Sequence, residues 1–225
     1  MNGSPHTVSD VMTRAVVAVG RDTPFKDIVR LLEEWKVSAL PVLEGEGRVV
    51  GVVSEADLLP KEEFRDSDPD RFTQLRRLSD LARAGALTAG ELMSTPAVTV
   101  HADATLAQAA RVMARLRLKR LPVVDDAGLL EGVVSRVDLL KVFLRTDEEL
   151  AGEIRREVVD RLFPDPPEPV GVEVADGVVT LTGRIRDTSL VPVAARAARA
   201  VEGVVDVAFR LTGGASGPRR PGATG

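Results

Sequence analysis

The stretch GVVSEADLL, Gly51 to Leu59, returns 81 residues later as GVVSRVDLL, Gly132 to Leu140. Seven of the nine positions are identical. Each copy joins an apolar run typical of a buried strand to a Ser-x-x-Asp pattern typical of a helix start. The chain is therefore expected to build the same strand-then-helix corner twice.

The repeat extends well beyond this stretch. Residues 12–59 align with residues 93–140 without a gap, and 16 of these 48 positions are identical. In each copy a short helical start leads to an apolar strand, a helix with one apolar face, and two strands joined by a Gly-containing turn. Two such β-α-β-β-α units would bury their open faces by packing on each other.

Local patterns within the repeats make more detailed predictions. Residues 15–19 (AVVAV) and 97–100 (AVTV) are predicted strands because they are rich in valine. Thr23 and Pro24 predict the start of the following helix, as a cap and a first-turn proline. Trp35 falls on the apolar stripe of that helix and is predicted to lie in the core.

The rest of the chain contains a connecting segment and a third module. Residues 71–84 carry large apolar side chains at three-residue steps, which predicts a helix between the repeats. An amphipathic helix is predicted over 147–163, and Asp176-Gly177 predicts a two-residue hairpin turn. A helix over 189–202 and a final strand complete an α-β-β-α-β module, and the Gly- and Pro-rich tail is predicted to be disordered.

Composition argues against several classes of function. The net charge of −4 does not favour nucleic-acid binding, which needs a surplus of Lys and Arg. With no cysteine, and only His6 and His101 far apart, neither a metal site nor a catalytic triad is predicted, and an enzyme is not expected. No apolar run approaches the roughly 20 residues of a membrane span, and no signal peptide is apparent, so a cytoplasmic protein is expected.

The Ser-x-x-Asp pattern has two interpretations at this stage. In the first, Ser caps the helix and the acid three residues later completes a near-capping-box. In the second, the helix start faces a cleft, where its amides and the Ser hydroxyl attract phosphate. The carboxylate then presents two acceptor oxygens at the spacing of a ribose diol, and the Val-rich strands offer apolar walls for a base.

Over about residues 8–145 the two copies resemble a tandem pair of CBS domains, also called a Bateman module. The marks are the Met-Thr or Met-Ser start, the Leu-Pro-Val strand and the Gly-x-x-Ser-x-x-Asp corner, each present twice. In that family the Asp holds the ribose hydroxyls and the Ser approaches the phosphates. The resemblance carries these roles to Ser54, Asp57, Ser135 and Asp138.

The resemblance also implies phosphate contacts from the residues that precede Leu-Pro-Val. Lys119 and Arg120 match this role, whereas Ser38 and Ala39 supply no cation. Arg136, which follows the second serine, is a further candidate.

Charge is expected to make the two corners unequal. Arg136 follows the second serine, whereas Glu55 follows the first, and Lys119 and Arg120 belong to the second copy. A phosphate at the second corner is thus expected to meet more positive charge. The sequence predicts that Asp138→Asn weakens nucleotide binding more than the same change in the first copy.

Residues 147–212 resemble a BON domain, through DGVVTLTGRI (176–185) and VEGVVDV (201–207). BON domains are proposed to engage phospholipid or large partners. The expected fold class is α+β, with two β-α-β-β-α CBS repeats packed as a pair and a small α-β-β-α-β BON domain. The expected boundaries are 1–60 for CBS repeat 1, 61–87 for an inter-repeat helical linker, 88–146 for CBS repeat 2, 147–212 for the BON domain and 213–225 for a disordered tail.

The resemblances imply a non-enzymatic regulatory protein without a tightly bound cofactor. Its CBS pair would sense an adenosine-containing ligand of the AMP, ADP and ATP class, and its BON domain would relay or localise the signal. The alternative is a structural adaptor with vestigial clefts, whose BON domain docks a protein or makes a weak contact with anionic phospholipid. A homodimer through the CBS half is expected, because apolar faces around Val11, Met12, Leu92 and Met93 need cover.

Overall fold

In the computed structural model, which describes residues 6–63, 83–166 and 168–213, the two repeats form equivalent three-stranded sheets. The first repeat contains α1 (Val8–Val11), β1 (Val19–Gly20), α2 (Phe25–Glu34), β2 (Ala39–Glu44), β3 (Arg48–Ser54), α3 (Glu55–Leu58) and α4 (Pro60–Glu63). The second contains α5 (Ala89–Leu92), β4 (Val100–His101), α6 (Leu106–Leu116), β5 (Arg120–Val124), β6 (Leu130–Ser135) and α7 (Arg136–Leu139). In each sheet the first strand runs parallel to the second, and the second runs antiparallel to the third. The expected α+β class and the repeat are confirmed.

The core of each repeat lies between its sheet and its long helix. Ile28 of α2 packs with Leu40, Val42 and Val53, all of them fully buried. The second repeat buries Met113 of α6 and the equivalent strand positions in the same way. Leu40 and Val42 share one face of β2 because strand side chains alternate between faces, and that face receives the helix.

Each repeat completes the sheet of the other. Thr13, just after α1, exchanges two backbone hydrogen bonds of 2.9 Å with Val133 of β6. Ser94, just after α5, pairs in the same way with Val52 of β3. The start of one repeat is thus joined to the last strand of the other, and residues 6–139 form one compact unit.

Met12 and Met93, at the starts of the two repeats, pack beside these hydrogen-bonded pairs. A Cβ on Gly132 would lie 2.9 Å from Met12 Sδ, and a Cβ on Gly51 would clash with Met93. Leu92 and Met93 are buried within the unit, and Met12 is half-buried. Leu92 and Met93 therefore need no cover from a second chain, whereas Val11 and Met12 stay partly exposed, and the homodimer remains a prediction from sequence.

Two other expectations for the repeats need correction or fall outside the structure. The strands predicted over 15–19 and 97–100 are much shorter, since only Val19–Gly20 and Val100–His101 pair with a neighbour. The segment before each of them crosses from one sheet to the other and cannot pair along its length. Most of the helix predicted over 71–84 lies outside the described residues.

The residues from Leu140 onward form a second compact unit. It contains a 3-10 helix (Leu140–Leu144), α8 (Asp147–Ile154), a π-helical turn (Arg155–Val159), α9 (Asp160–Leu162), β7 (Gly171–Ala175), β8 (Val178–Ile185), a 3-10 turn (Thr188–Leu190), α10 (Val191–Arg199) and β9 (Asp206–Gly213). The predicted α-β-β-α-β order is confirmed. Asp176 and Gly177 form the predicted hairpin turn, with φ values of 50° and 73°.

Two side chains fix the beginning of this unit. Arg145 donates one hydrogen bond to the Glu202 carbonyl (2.8 Å) and another to the Glu153 carboxylate (2.7 Å). The Asp147 carboxylate accepts from both amides of the hairpin turn, at 3.0 Å each. Residues 140–145 are thus tied to the second unit, and the module start at 147 stays a prediction from sequence. Gly213 ends β9, and the remainder of the predicted tail lies outside the described residues.

Candidate functional site

The two Ser-x-x-Asp corners have the same geometry. The Ser54 amide and hydroxyl both donate to Asp57 Oδ2, at 2.9 and 2.6 Å. Ser135 makes the same two bonds to Asp138 Oδ2, at 2.9 and 2.6 Å. Each serine ends a strand and each acid lies in the first turn of the short helix that follows. Both corners form the hydrogen bonds that the capping interpretation requires. Each corner also lines a cleft, so capping and ligand binding are compatible.

The first cleft contains Ser54 and Asp57 and has a volume of about 240 Å³. Its opposite wall comes from the second repeat, through the run Arg117–Arg120 between α6 and β5. Three cations therefore line the cleft together with two carboxylates, those of Glu55 and Asp57. Asp57 is 7% exposed and carries the only buried ionisable side chain among the described residues.

The second cleft contains Ser135 and Asp138 and has a volume of about 370 Å³. Its walls are mainly apolar and come largely from the first repeat: Ala15, Val16, Val17, Trp35, Val37, Ala39 and Pro41. Arg120 is the one cation in this lining. The second cleft thus has a larger volume and fewer charged lining residues than the first.

The position of Lys119 corrects the predicted asymmetry. Proximity in sequence assigned both Lys119 and Arg120 to the corner of Ser135. The structure pairs Arg120 in register with Ser135, but Lys119 precedes the strand and lines the cleft of Ser54 and Asp57. The greater positive charge therefore belongs to the first cleft, because each cleft combines the corner of one repeat with the strand entry of the other.

Arg120 lines both clefts. It is half-buried, and its Nε is buried without a hydrogen-bond partner among the described residues. Burial lowers the pKa of Arg120, and the nearby carboxylates of Glu55 and Asp138 oppose this shift. The Arg120 guanidinium thus places a cation in the lining of both clefts, where an anionic ligand would pair with it.

Arg136 does not belong to the lining of either cleft. Its Nε donates to the Leu118 carbonyl at 2.7 Å, and its amide donates to the Lys119 carbonyl. The side chain thus fastens the start of α7 to the entry of β5. Its role as a ligand-binding residue stays a prediction from sequence.

Several cleft residues were missed or misplaced by sequence reasoning. Trp35, predicted in the core, is 55% exposed and lines the second cleft, because α2 ends one residue before it. Arg117 lines the first cleft from the left-handed C-cap position of α6, with φ of 56°. Arg83 lies 3.1 Å from Asp57 Oδ1. The end of the helical pattern is the one sequence feature that could have indicated a cleft position for Arg117. No sequence feature indicated that Arg83 lies beside Asp57.

Comparison with known families agrees with this architecture. CBS domains match residues 8–61 and 89–145, and a BON domain matches residues 146–213. The chain is 30% identical over 160 residues to protein MJ1426 of Methanocaldococcus jannaschii, covering 64% of this chain and 95% of that protein. This chain belongs to the CBS-domain family. Its CBS pair is followed by a BON domain.

Relatives of the CBS pair include a plant protein of known structure. The chloroplastic CBSX2 of Arabidopsis thaliana is 31% identical over 159 residues, covering 64% of this chain and 66% of that protein. The crystal structure of CBSX2 in complex with AMP superposes with a TM-score of 0.55, covering 62% of this chain and 97% of that one.

No helix among the described residues is both long and apolar enough to cross a membrane.

Proposed function

We propose that this chain is a non-enzymatic regulatory protein whose CBS pair binds an adenosine-containing ligand and whose BON domain relays or localises the response. One observation carries the proposal: Arg120, with its unsatisfied buried Nε, lines two clefts that each contain a Ser–Asp corner. A phosphate bound in either cleft would pair with this cation. The similarity to CBSX2, a protein crystallised with AMP, supports a ligand of the AMP, ADP and ATP class.

In the first cleft the ligand's phosphate faces the positive wall. We assign the phosphate to Lys119 and Arg120 and a ribose hydroxyl to Asp57, which Ser54 holds in place through its amide and hydroxyl donors. Arg117 adds a third positive charge to this wall. Because three cations line the first cleft and Arg120 is the one cation in the lining of the second, the first cleft is expected to hold a nucleotide more tightly.

In the second cleft apolar contact outweighs charge. We assign the ribose to Asp138, which Ser135 holds in place through its amide and hydroxyl donors, and the phosphate to Arg120. Trp35 and Pro41 supply flat surfaces on which a base can pack. With a single cation in its lining, this cleft discriminates less strongly for phosphate than the first.

The proposal is tested by calorimetric titration of AMP into variants of the full chain. Asp57→Asn is expected to weaken the tighter binding event about tenfold, because the ligand loses a hydrogen bond to a charged acceptor. Asp138→Asn is expected to affect the weaker event and leave the tighter one nearly unchanged. The double variant is expected to lose both.

A matched control is Asp27→Asn, which changes an exposed first-turn aspartate of α2, ion-paired with Arg30 and outside both clefts. It should leave binding unaltered. If Asp57→Asn and Asp138→Asn lower the melting temperature of the free protein while AMP binding is unchanged, the serine–aspartate pairs serve only as caps. The sensor proposal would then be abandoned.

The second candidate function is a structural adaptor with vestigial clefts. It is favoured by the fact that Ser54 and Asp57, like Ser135 and Asp138, already satisfy each other as capping boxes. The same titration separates the two candidates, since an adaptor binds no nucleotide in the wild-type chain.

We also propose a homodimer through the CBS half, on grounds that differ from those given by the sequence. Val29, Leu59, Leu116 and Val137 are exposed apolar side chains of the first unit. Their burial against a second copy would remove apolar surface from water. Light scattering of the full chain at micromolar concentration should give twice the 24.1 kDa of one chain, and a value near 24.1 kDa would rule the dimer out.

For the BON domain we propose contact with a protein partner or a weak contact with anionic phospholipid. Arg155, Arg156, Arg196 and Arg199 are exposed on its helical segments. Exposed arginines attract an anionic surface only weakly and in a salt-dependent manner. A cytoplasmic location stays a prediction from sequence.

A further inference from the structure

The acceptor positions of Asp57 are nearly all in use within the free protein. An ionised carboxylate has about four lone-pair sites. Two are taken on Oδ2 by the Ser54 amide and hydroxyl. A third is taken on Oδ1 by the Arg83 guanidinium at 3.1 Å. One acceptor position therefore remains for a ligand.

Arg83 is held in this position by its surroundings. Its guanidinium also donates to the Ser94 hydroxyl, at 3.4 Å, and Ser94 lines the first cleft. The backbone that follows is fastened to the first repeat, because the Lys61 ammonium donates to the carbonyls of Ala84 (3.0 Å) and Ala86 (2.9 Å). Arg83 is 27% exposed at its side chain, so its ion pair is partly shielded from water.

We propose that Arg83 is a specificity-determining residue of the first cleft, an inference that rests on the proposed function. By occupying Oδ1 of Asp57, it limits the carboxylate to one ribose hydroxyl. The first cleft then recognises its ligand chiefly through the phosphate, which faces Lys119 and Arg120. Such a cleft accepts an adenosine monophosphate that lacks one of the two ribose hydroxyls.

The test compares AMP with its 2′-deoxy and 3′-deoxy analogues, titrated into the full chain carrying Asp138→Asn so that the first cleft is observed. With Arg83 present, one analogue is expected to bind as tightly as AMP and the other about tenfold more weakly. In Arg83→Ala the freed acceptor position engages the second hydroxyl. Both analogues are then expected to bind about tenfold more weakly than AMP.

Comparing analogues of equal charge separates recognition of the ribose from attraction of the phosphate. The affinity ratio is also insensitive to any fraction of unfolded protein, and Arg83→Gln, which keeps a donor, is expected to resemble wild type. The control Arg30→Ala removes an exposed arginine of α2 from a carboxylate outside the clefts and should leave the ratios unchanged.

Three results would overturn the inference. The first is that both analogues bind weakly while Arg83 is present. The second is that Arg83→Ala leaves both ratios as they were, or reduces them, which would make Arg83 only a support for Asp57. The third is that no nucleotide binds to any variant, including wild type; this result alone would also overturn the proposed function.

Discussion

Replacing Arg120 with methionine is expected to weaken AMP binding about a hundredfold without lowering the melting temperature of the free protein. Arg120 lines both clefts, and removing a charged donor from a phosphate costs 1.5 to 3 kcal/mol, or roughly 10- to 150-fold. In the free protein the same side chain lowers the stability of the fold, because its Nε is buried without a partner among the described residues and burial lowers its pKa. Methionine fills a similar volume without a charge.

Calorimetry and thermal unfolding of the same sample measure these opposed effects. Arg115→Met, which alters an exposed arginine of α6 outside both clefts, provides the comparison. A melting temperature that falls in step with the affinity would show that Arg120 supports the fold. Unchanged affinity for AMP would show that the phosphate does not contact Arg120.

The second large effect concerns stability. Gly132→Ala is expected to lower the free energy of unfolding by about 2 kcal/mol, a typical cost of overpacking. The added Cβ would lie 2.9 Å from the Thr13 carbonyl oxygen. That carbonyl cannot move away without weakening its hydrogen bond, because Thr13 exchanges two backbone hydrogen bonds with Val133.

Chemical denaturation of the full chain measures this change. Gly85→Ala is the matched control, since a Cβ there meets nothing within 4 Å and the backbone φ is not positive. Gly51→Ala should fall between the two, because the clash is with the flexible side chain of Met93. Equal stability of the Gly132 and Gly85 variants would show that the repeat exchange tolerates extra volume.

The features that the sequence predicted well depend on neighbouring residues. The hairpin at Asp176-Gly177 needs only two residues that accept positive φ. The corner of Ser54 and Asp57 spans a single helical turn. The repeat is found by aligning the chain with itself, and this alignment predicted the order of elements in both halves of the first unit.

The features that were missed depend on residues far apart in the chain. Lys119 lines the cleft of Asp57 because the two repeats cross, and nothing in either segment indicates this crossing. Arg83 and Asp57 are 26 positions apart, and their ion pair forms where residues 83–86 contact the first repeat. Trp35 fits the helical stripe, yet α2 ends before it, and helix ends are the least certain part of a periodic pattern.

The exchange between Thr13 and Val133 has a consequence for how such a chain can change in evolution. The bonded residues are 120 positions apart, so the sheet of the second repeat is finished by a residue that the ribosome makes before that repeat. A deletion that removed either repeat would leave the other with an open strand edge and an uncovered glycine. Repeats joined in this way are expected to be gained and lost in pairs, and the shortest heritable piece of the first unit is the whole of residues 6–139.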